Sequence, residues 1–158
     1  MDPQTLSELG EKLKANGALT GGDLAPFNDD TFGTSTLGLV WDEVSLDRAV
    51  AHVETDERHQ QPFGLVHGGV WCAVVESMAS IGAALQVLDE GQIVVGLSNS
   101  TDFFRSHRVG RCDAVAEPVH VGRSQQIWQV TITRTNDAKV VARGQVRLQN
   151  LDPAVVGA

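Results

Sequence analysis

Glu76 is the one charged residue in the run from Val70 to Leu88, which apart from Gln86 is otherwise apolar or small. Burying a carboxylate without partners costs a great deal, so such a residue needs a reason to be there. It makes a structural hydrogen bond or ion pair, it faces a subunit contact, or it works as a general base or nucleophile. If the run is helical, Ser80 lies one turn on and shares the face of Glu76, whereas Ser77 is one residue around. Gly68 and Gly69 fall where that helix would begin. Free backbone N–H groups and the positive end of the helix dipole suit that position to a polarised carbonyl or oxyanion, and glycine lets a ligand approach closely. A tight turn into the helix would use the same residues. His67 could move a proton or simply bond the backbone at the helix start. Gln61, on the segment Gln60-Gln61-Pro62-Phe63-Gly64, could donate to the same carbonyl, place a water, or remain solvated.

Helix geometry limits how these groups can cooperate. Gly68 and Glu76 are eight residues apart, roughly 12 Å along one helix at about 1.5 Å per residue. One carbonyl cannot touch both. Two such helices running antiparallel across a two-fold axis could bring Gly68 of one chain to Glu76 of the other, which implies a homodimer with two shared sites. Other chemistries lack their motifs: no GK[ST] follows the glycines, no GxSxG elbow is present, and no His or Cys spacing fits a metal, so no metal and no cofactor is expected. Arg105, Arg108, Arg123, Arg143 and Arg147 are scattered over turns and strand faces. A subset converging at a site mouth would suit phosphates, whose oxygens match guanidinium forks.

The elements that must position these residues can be read in order. Asp2-Pro3 suits a helix start, Leu6, Leu9 and Leu13 keep helical spacing, and Gly17 stops the pattern. A loop rich in Gly, Asp, Asn and Thr runs from Gly21 to about Thr36, so residues 1–35 read as a peripheral helix-and-loop extension and residues 36–152 as the domain. From Leu37 the chain is extended, with a turn at Leu46-Asp47-Arg48 and alternation through Val50 and Val53. Asp56 to Gln61 is a polar loop. Val70 to Leu88 reads as a helix apolar on nearly every face, which must be buried, and Asp89-Glu90-Gly91 ends it. Strands follow over Ile93 to Phe104, Arg111 to Val121 with a bulge at Pro118, and Gln125 to Thr133. After a turn at Thr135-Asn136-Asp137-Ala138, Val140 to Gln149 alternates with period two. Two strands, one buried helix and at least four antiparallel strands imply an α+β fold in which one curved sheet wraps the helix.

Composition excludes several function classes. The chain has 158 residues, enough for one domain with a real core, and a formal charge of −8. That field repels nucleic acid and anionic membranes, so neither is expected as a partner and an anionic ligand must find local arginines. No stretch approaches the ~18 uninterrupted apolar residues of a membrane span. The start is acidic and lacks a basic leader, and Cys72 and Cys112 read as two buried reduced thiols, so a cytoplasmic protein is expected.

The run Gln60-Gln61-Pro62-Phe63-Gly64-Leu65-Val66-His67-Gly68-Gly69, with Cys72 to Ser80 after it, resembles the hotdog-fold acyl-CoA thioesterases of the phenylacetate-degradation type. The likeness is to the branch holding 4-hydroxybenzoyl-CoA and 1,4-dihydroxy-2-naphthoyl-CoA thioesterases. Val95 to Arg105, Pro118 to Arg123 and Gln126 to Val130 are similar to that family's later strands, so the likeness spans residues 37 to 150. It implies the hotdog fold, a homodimer pairing into a tetramer, and hydrolysis of an acyl-CoA thioester, aromatic acyl favoured, to free acid and CoA. CoA is then part of the substrate, and no cofactor is needed. A silent acyl-CoA-binding module or a hotdog dehydratase is the alternative. By position, Glu76 matches the family's carboxylate, nucleophile or general base, and Gly68 the amide that polarises the carbonyl. Gln61 matches the amide side chain beside it, Ser80 a hydroxyl holding substrate or water, and His67 the histidine of the turn. Arg105, Arg123 and Ser124 fall where relatives contact CoA, with Gly69 beside the turn. Ser106-His107 departs from the Pro-Val that relatives often carry there.

Overall fold

A computed structural model describes residues 3–28 and 32–155 of the chain. Asp2, the expected cap of the first helix, lies outside them, as do residues 29–31 of the loop. Helix α1, Pro3–Asn16, buries Leu9 and Leu13 and ends at Gly17. There the chain takes a left-handed φ of 77° while the Gly17 N–H donates to Leu13 O at 2.8 Å, the usual reason for glycine past a helix end. Strand β1, Ala18–Thr20, follows, then a 3-10 turn over Gly21–Phe27. β2, Leu39–Ser45, and β3, Ala49–Thr55, form a hairpin closed by Ser45 N–H to Arg48 O. The long helix α2 spans Gly68–Gln86, and β4 (Ile93–Phe103), β5 (Gly110–Val121), β6 (Gln125–Arg134) and β7 (Lys139–Leu151) complete the chain.

All seven strands join one antiparallel sheet in the order β1-β2-β3-β5-β6-β7-β4. The α+β arrangement of a sheet curved around one long helix is therefore the one the hydrophobic pattern implies. The register slips between Pro118 and His120, where the bulge was expected. β1 is the element sequence reading missed: three residues are too few to show a period. Leu19 on β1, with Leu24 and Phe27 after it, joins the common hydrophobic core, so the N-terminal segment packs into the sheet's cluster.

α2 presses one side on the sheet. Trp71, Val74, Val75, Met78, Ala79, Gly82, Ala83 and Leu85 are buried, while Cys72, Ala73, Glu76, Ser77, Ser80 and Ile81 form a half-buried stripe. Cys72 is thus only half-buried, whereas Cys112 is enclosed and its thiol is pushed up to about 12 by loss of hydration. By length and hydropathy α2 could cross a membrane, yet here it packs on a sheet and carries Glu76.

The helix approaches the sheet closely because small residues permit it. A Cβ on Gly82 would fall 2.6 Å from the Trp128 ring, and Trp128 is fully buried with its indole N–H donating to Gln126 Oε1 at 2.9 Å. Gln126 in turn donates to Ala83 O at 3.0 Å and to Asn150 Oδ1 at 2.9 Å, so this buried polar cluster is satisfied. Gly82→Ala should gain up to about 1 kcal/mol of helix propensity but lose roughly 1–3 kcal/mol to overpacking. Urea denaturation is expected to show net destabilisation. A more stable variant would mean the Trp128 contact is looser than it looks.

Candidate active site

The capping turn before α2 is built by short-range bonds. Asp56 caps the 3-10 turn Glu57–His59, the Gly64 N–H donates to Gln61 O at 2.9 Å, and the Gln61 N–H donates to Leu65 O at 2.8 Å. Gly64 takes a φ of 73°, and its carbonyl accepts from Arg108 Nη1 at 3.0 Å. The Val66 N–H donates to His107 O at 2.8 Å, and the His107 ring is buried beside Trp71 with centroids 6.0 Å apart. Ser106-His107, the departure from the family pattern, therefore forms part of the brace on this turn.

His67 is the N-cap of α2, its Nδ1 accepting the Gly69 N–H at 2.9 Å. It bonds backbone, the simpler of the two roles open to it. The Gly68 amide belongs to the first turn of α2, whose N–H groups have no partner inside the helix. A Cβ on Gly68 would lie 2.9 Å from the Phe103 ring, so the backbone is bare here by steric necessity. Gln61 uses its side-chain oxygen to accept the Phe63 N–H, so its N–H donors are the end it can offer a ligand. Gln61, Gly68, Trp71, Phe103 and Arg105 line one cavity of about 340 Å³. Arg105 is anchored there by Nη1 donating to Val140 O at 2.8 Å.

Glu76 and Ser80 lie elsewhere. They line a second cavity, of about 430 Å³, together with Phe27, Leu39, Trp41 and Ser77. Glu76 is half-buried and joins no ion pair among the described residues. Its Oε2 accepts from Asn99 Nδ2 at 2.9 Å, and the same amide nitrogen donates to Cys72 O at 3.0 Å. Thr101 Oγ1 donates to Asn99 Oδ1 at 2.7 Å and so fixes which end of the amide faces the acid. Opposite, Gly96 leaves room for the carboxylate, since a Cβ there would fall 2.7 Å from Glu76 Oε1. The structure thus brings Gln61, Gly68 and Arg105 together, and Glu76 with Ser80, but in separate cavities at two levels of α2. Arg123 and Ser124 lie apart from both on the β5–β6 turn, held by Asn150 Nδ2 donating to Arg123 O at 3.2 Å and by the Asn150 N–H to Ser124 O at 2.9 Å. A larger hollow of about 520 Å³ beneath α1 contains none of the expected site residues.

Sequence reading passed over Asn99, Thr101 and Gly96. The polar run Ser98 to Asp102 marks one half of β4 as unlike the apolar other half, but nothing in the sequence ties it to Glu76, twenty-three residues before Asn99.

Comparison with known proteins places this chain in a family. Residues 63–141 match the thioesterase superfamily. A candidate esterase of Mycobacterium tuberculosis is 49% identical over 130 residues, covering 81% of this chain and 92% of the relative. Its solved structure superposes with a TM-score of 0.72 over 80% of this chain and 96% of that one, at 48% identity. The 1,4-dihydroxy-2-naphthoyl-CoA hydrolase of Listeria monocytogenes is 39% identical over 98 residues, 62% of this chain and 79% of the relative. A thioesterase structure from Haemophilus influenzae gives a TM-score of 0.74 at 33% identity, covering 84% of this chain and 91% of that one. The chain belongs to the thioesterase superfamily and has its hotdog fold.

Asn99→Ala is expected to slow thioester hydrolysis by roughly tenfold or more, the effect of losing about 1.4 kcal/mol of positioning. Steady-state kinetics beside a melting curve checks this, and wild-type turnover would show that the carboxylate needs no such hold.

Proposed function

We propose that this chain hydrolyses acyl-CoA thioesters, aromatic acyl groups favoured, at two sites shared across a homodimer. The observation that carries the reading is the split of the site. The bare helix start at Gly68 and the held acid at Glu76 sit on one continuous helix, in different cavities. A second copy is needed to bring them to one carbonyl. Two features favour such pairing. The half-buried stripe of α2 carries Glu76 itself. β4, an eleven-residue strand, forms the sheet edge with Leu97 45% exposed and no Lys or Pro along it, and a long unblunted edge invites a partner strand. Dimers then pair into a tetramer, as the family likeness implies.

In this reading the thioester carbonyl accepts from the Gly68 amide, where the α2 dipole stabilises the developing oxyanion. Gln61 supplies a second donor, and His67 holds the turn. Glu76 of the partner subunit either takes a proton from water as it adds to the carbonyl carbon or attacks that carbon itself, and Ser80 orients the water or the acyl oxygen. Collapse breaks the C–S bond; in the first route CoA leaves as thiol with the proton that Glu76 took from water, and in the second it leaves as thiolate. In the second route water then cleaves the acyl anhydride and restores Glu76. Arg105 at the mouth, with Arg123, Ser124 and Gly69, contacts the nucleotide and pantetheine. The free thiols fit a cytoplasmic protein, and no cofactor takes part.

Thiol release from benzoyl-CoA should fall at least roughly 100-fold in Glu76→Gln, within the range of general-base catalysis. Equal release from both proteins would remove Glu76 from the mechanism, and none from either would favour a silent binding module. Sharing of sites has its own test. Gly68→Val and Glu76→Gln should each be inactive, yet an equimolar mixture refolded together should recover roughly a quarter of wild-type activity, because half the dimers are mixed and each mixed dimer has one intact site. An active monomer by sedimentation would contradict the arrangement.

A further inference from the structure

The cavity beside Glu76 is walled on one side by residues ahead of the stretch, 37 to 150, whose motifs resemble other thioesterases. Pro26, Phe27, Phe32 and Gly33 come from the N-terminal segment, and Leu39 and Trp41 from β2, facing Ser77, Ser80 and Ile81 of α2. We infer that this N-terminal wall, rather than the helix motif, selects the acyl group, and that it admits an uncharged ring. The inference rests on the thioesterase reading for what the ligand is, but not for where it sits.

Three observations point to a ring. The chain has five Phe, three Trp and no Tyr, yet all of these except Phe63 and Trp128 line one of the two cavities. Phe27 and Trp41 are already a tilted pair, centroids 5.9 Å apart at 50°, the geometry aromatic groups prefer over a flat stack. Phe32 is 61% exposed in a single chain, although an exposed phenylalanine gains nothing from its own burial there. A ring entering the cavity would cover it.

Charge and space limit the ligand further. Among the described residues, no Lys, Arg or His lines this cavity, and the one ionisable group there is the acid Glu76. A second carboxylate on the acyl group would meet like charge in a largely apolar enclosure with nothing to pair it. Gly33 keeps the space open: a Cβ there would lie 3.7 Å from Ser77 Oγ and 3.8 Å from Leu39 Cδ2, in ordinary contact, so alanine would fit but a longer side chain would occupy the cavity. Ser77 and Ser80 offer hydroxyls on the helix side that a neutral polar substituent on the ring could bond.

The test measures binding separately from turnover. Non-hydrolysable thioether analogues of benzoyl-CoA, hexanoyl-CoA and succinyl-CoA are titrated calorimetrically into the full chain and into Phe32→Ala and Gly33→Leu. Wild type should bind the benzoyl analogue at least roughly tenfold tighter than the succinyl one, and Phe32→Ala should weaken the benzoyl analogue by roughly fivefold with little change for hexanoyl. Gly33→Leu should weaken the benzoyl analogue by roughly tenfold or more. Phe32 is exposed, so its loss leaves the fold intact and keeps the test valid if Gly33→Leu misfolds. Equal benzoyl affinity in wild type and Phe32→Ala, or a succinyl analogue bound as tightly as the benzoyl one, overturns the inference. Thiol release by wild type from benzoyl-CoA is read in parallel. Selective binding without release would sink the hydrolase reading and leave the wall standing.

Discussion

The side chain of Glu76 is held between two elements that only the folded chain brings together: the outward stripe of α2, which carries it, and β4, which receives it. Asn99 donates to its Oε2 at 2.9 Å, and Gly96 leaves the gap that its Oε1 fills. A carboxylate at this depth is tolerable because one amide and one cavity replace part of its hydration without neutralising it. An arginine in place of Asn99 would offset the burial cost better, but it would lock the acid in an ion pair. The acid is thus held by one neutral amide, with no ion pair among the described residues.

Close approach of helix to sheet follows from the same demand. Gly82 lets the Trp128 ring lie against the helix backbone, and Gly144 on β7 makes room for Val75, 2.8 Å from where a Cβ would stand. The helix is thereby seated deep enough for Val74, Val75, Met78 and Ala79 to be wholly buried while the stripe one third of a turn around still meets a cavity. The satisfied cluster of Gln126, Trp128 and Asn150 fixes the far end of α2 against β6 and β7. Through Asn150 it also fixes the turn bearing Arg123 and Ser124. One buried amide network thus sets helix position and loop position together.

Most of the architecture was legible because its periods are long and clean. The alternation from Ala142 to Leu148, the apolar run of α2 and the bulge at Pro118 all appear where the pattern placed them, but at Val140 the alternation breaks, because a register shift opposite Thr133 leaves Val141 buried instead. Strand β1 was not legible, since Ala18–Thr20 is shorter than two periods and pairs only because β2 offers an edge. At the site, Glu76, Ser80, Gly68 and Gln61 stood out as polar or bare residues in the wrong surroundings. Asn99 did not, because an asparagine in a strand has no anomaly until the helix acid is known to lie opposite it, twenty-three residues away in sequence.

The residue types and their order were enough to establish that one acid-bearing apolar helix starts at a pair of glycines and is wrapped by an antiparallel sheet. Periodicity and the energetic cost of a buried charge are local properties of the chain, and they can be read without coordinates. Tertiary structure decided what surrounds that acid: which strand residue holds it, which cavity it faces, and that the N-terminal segment walls the cavity. Those contacts join residues far apart in sequence, and side-chain packing across such distances leaves no period behind it.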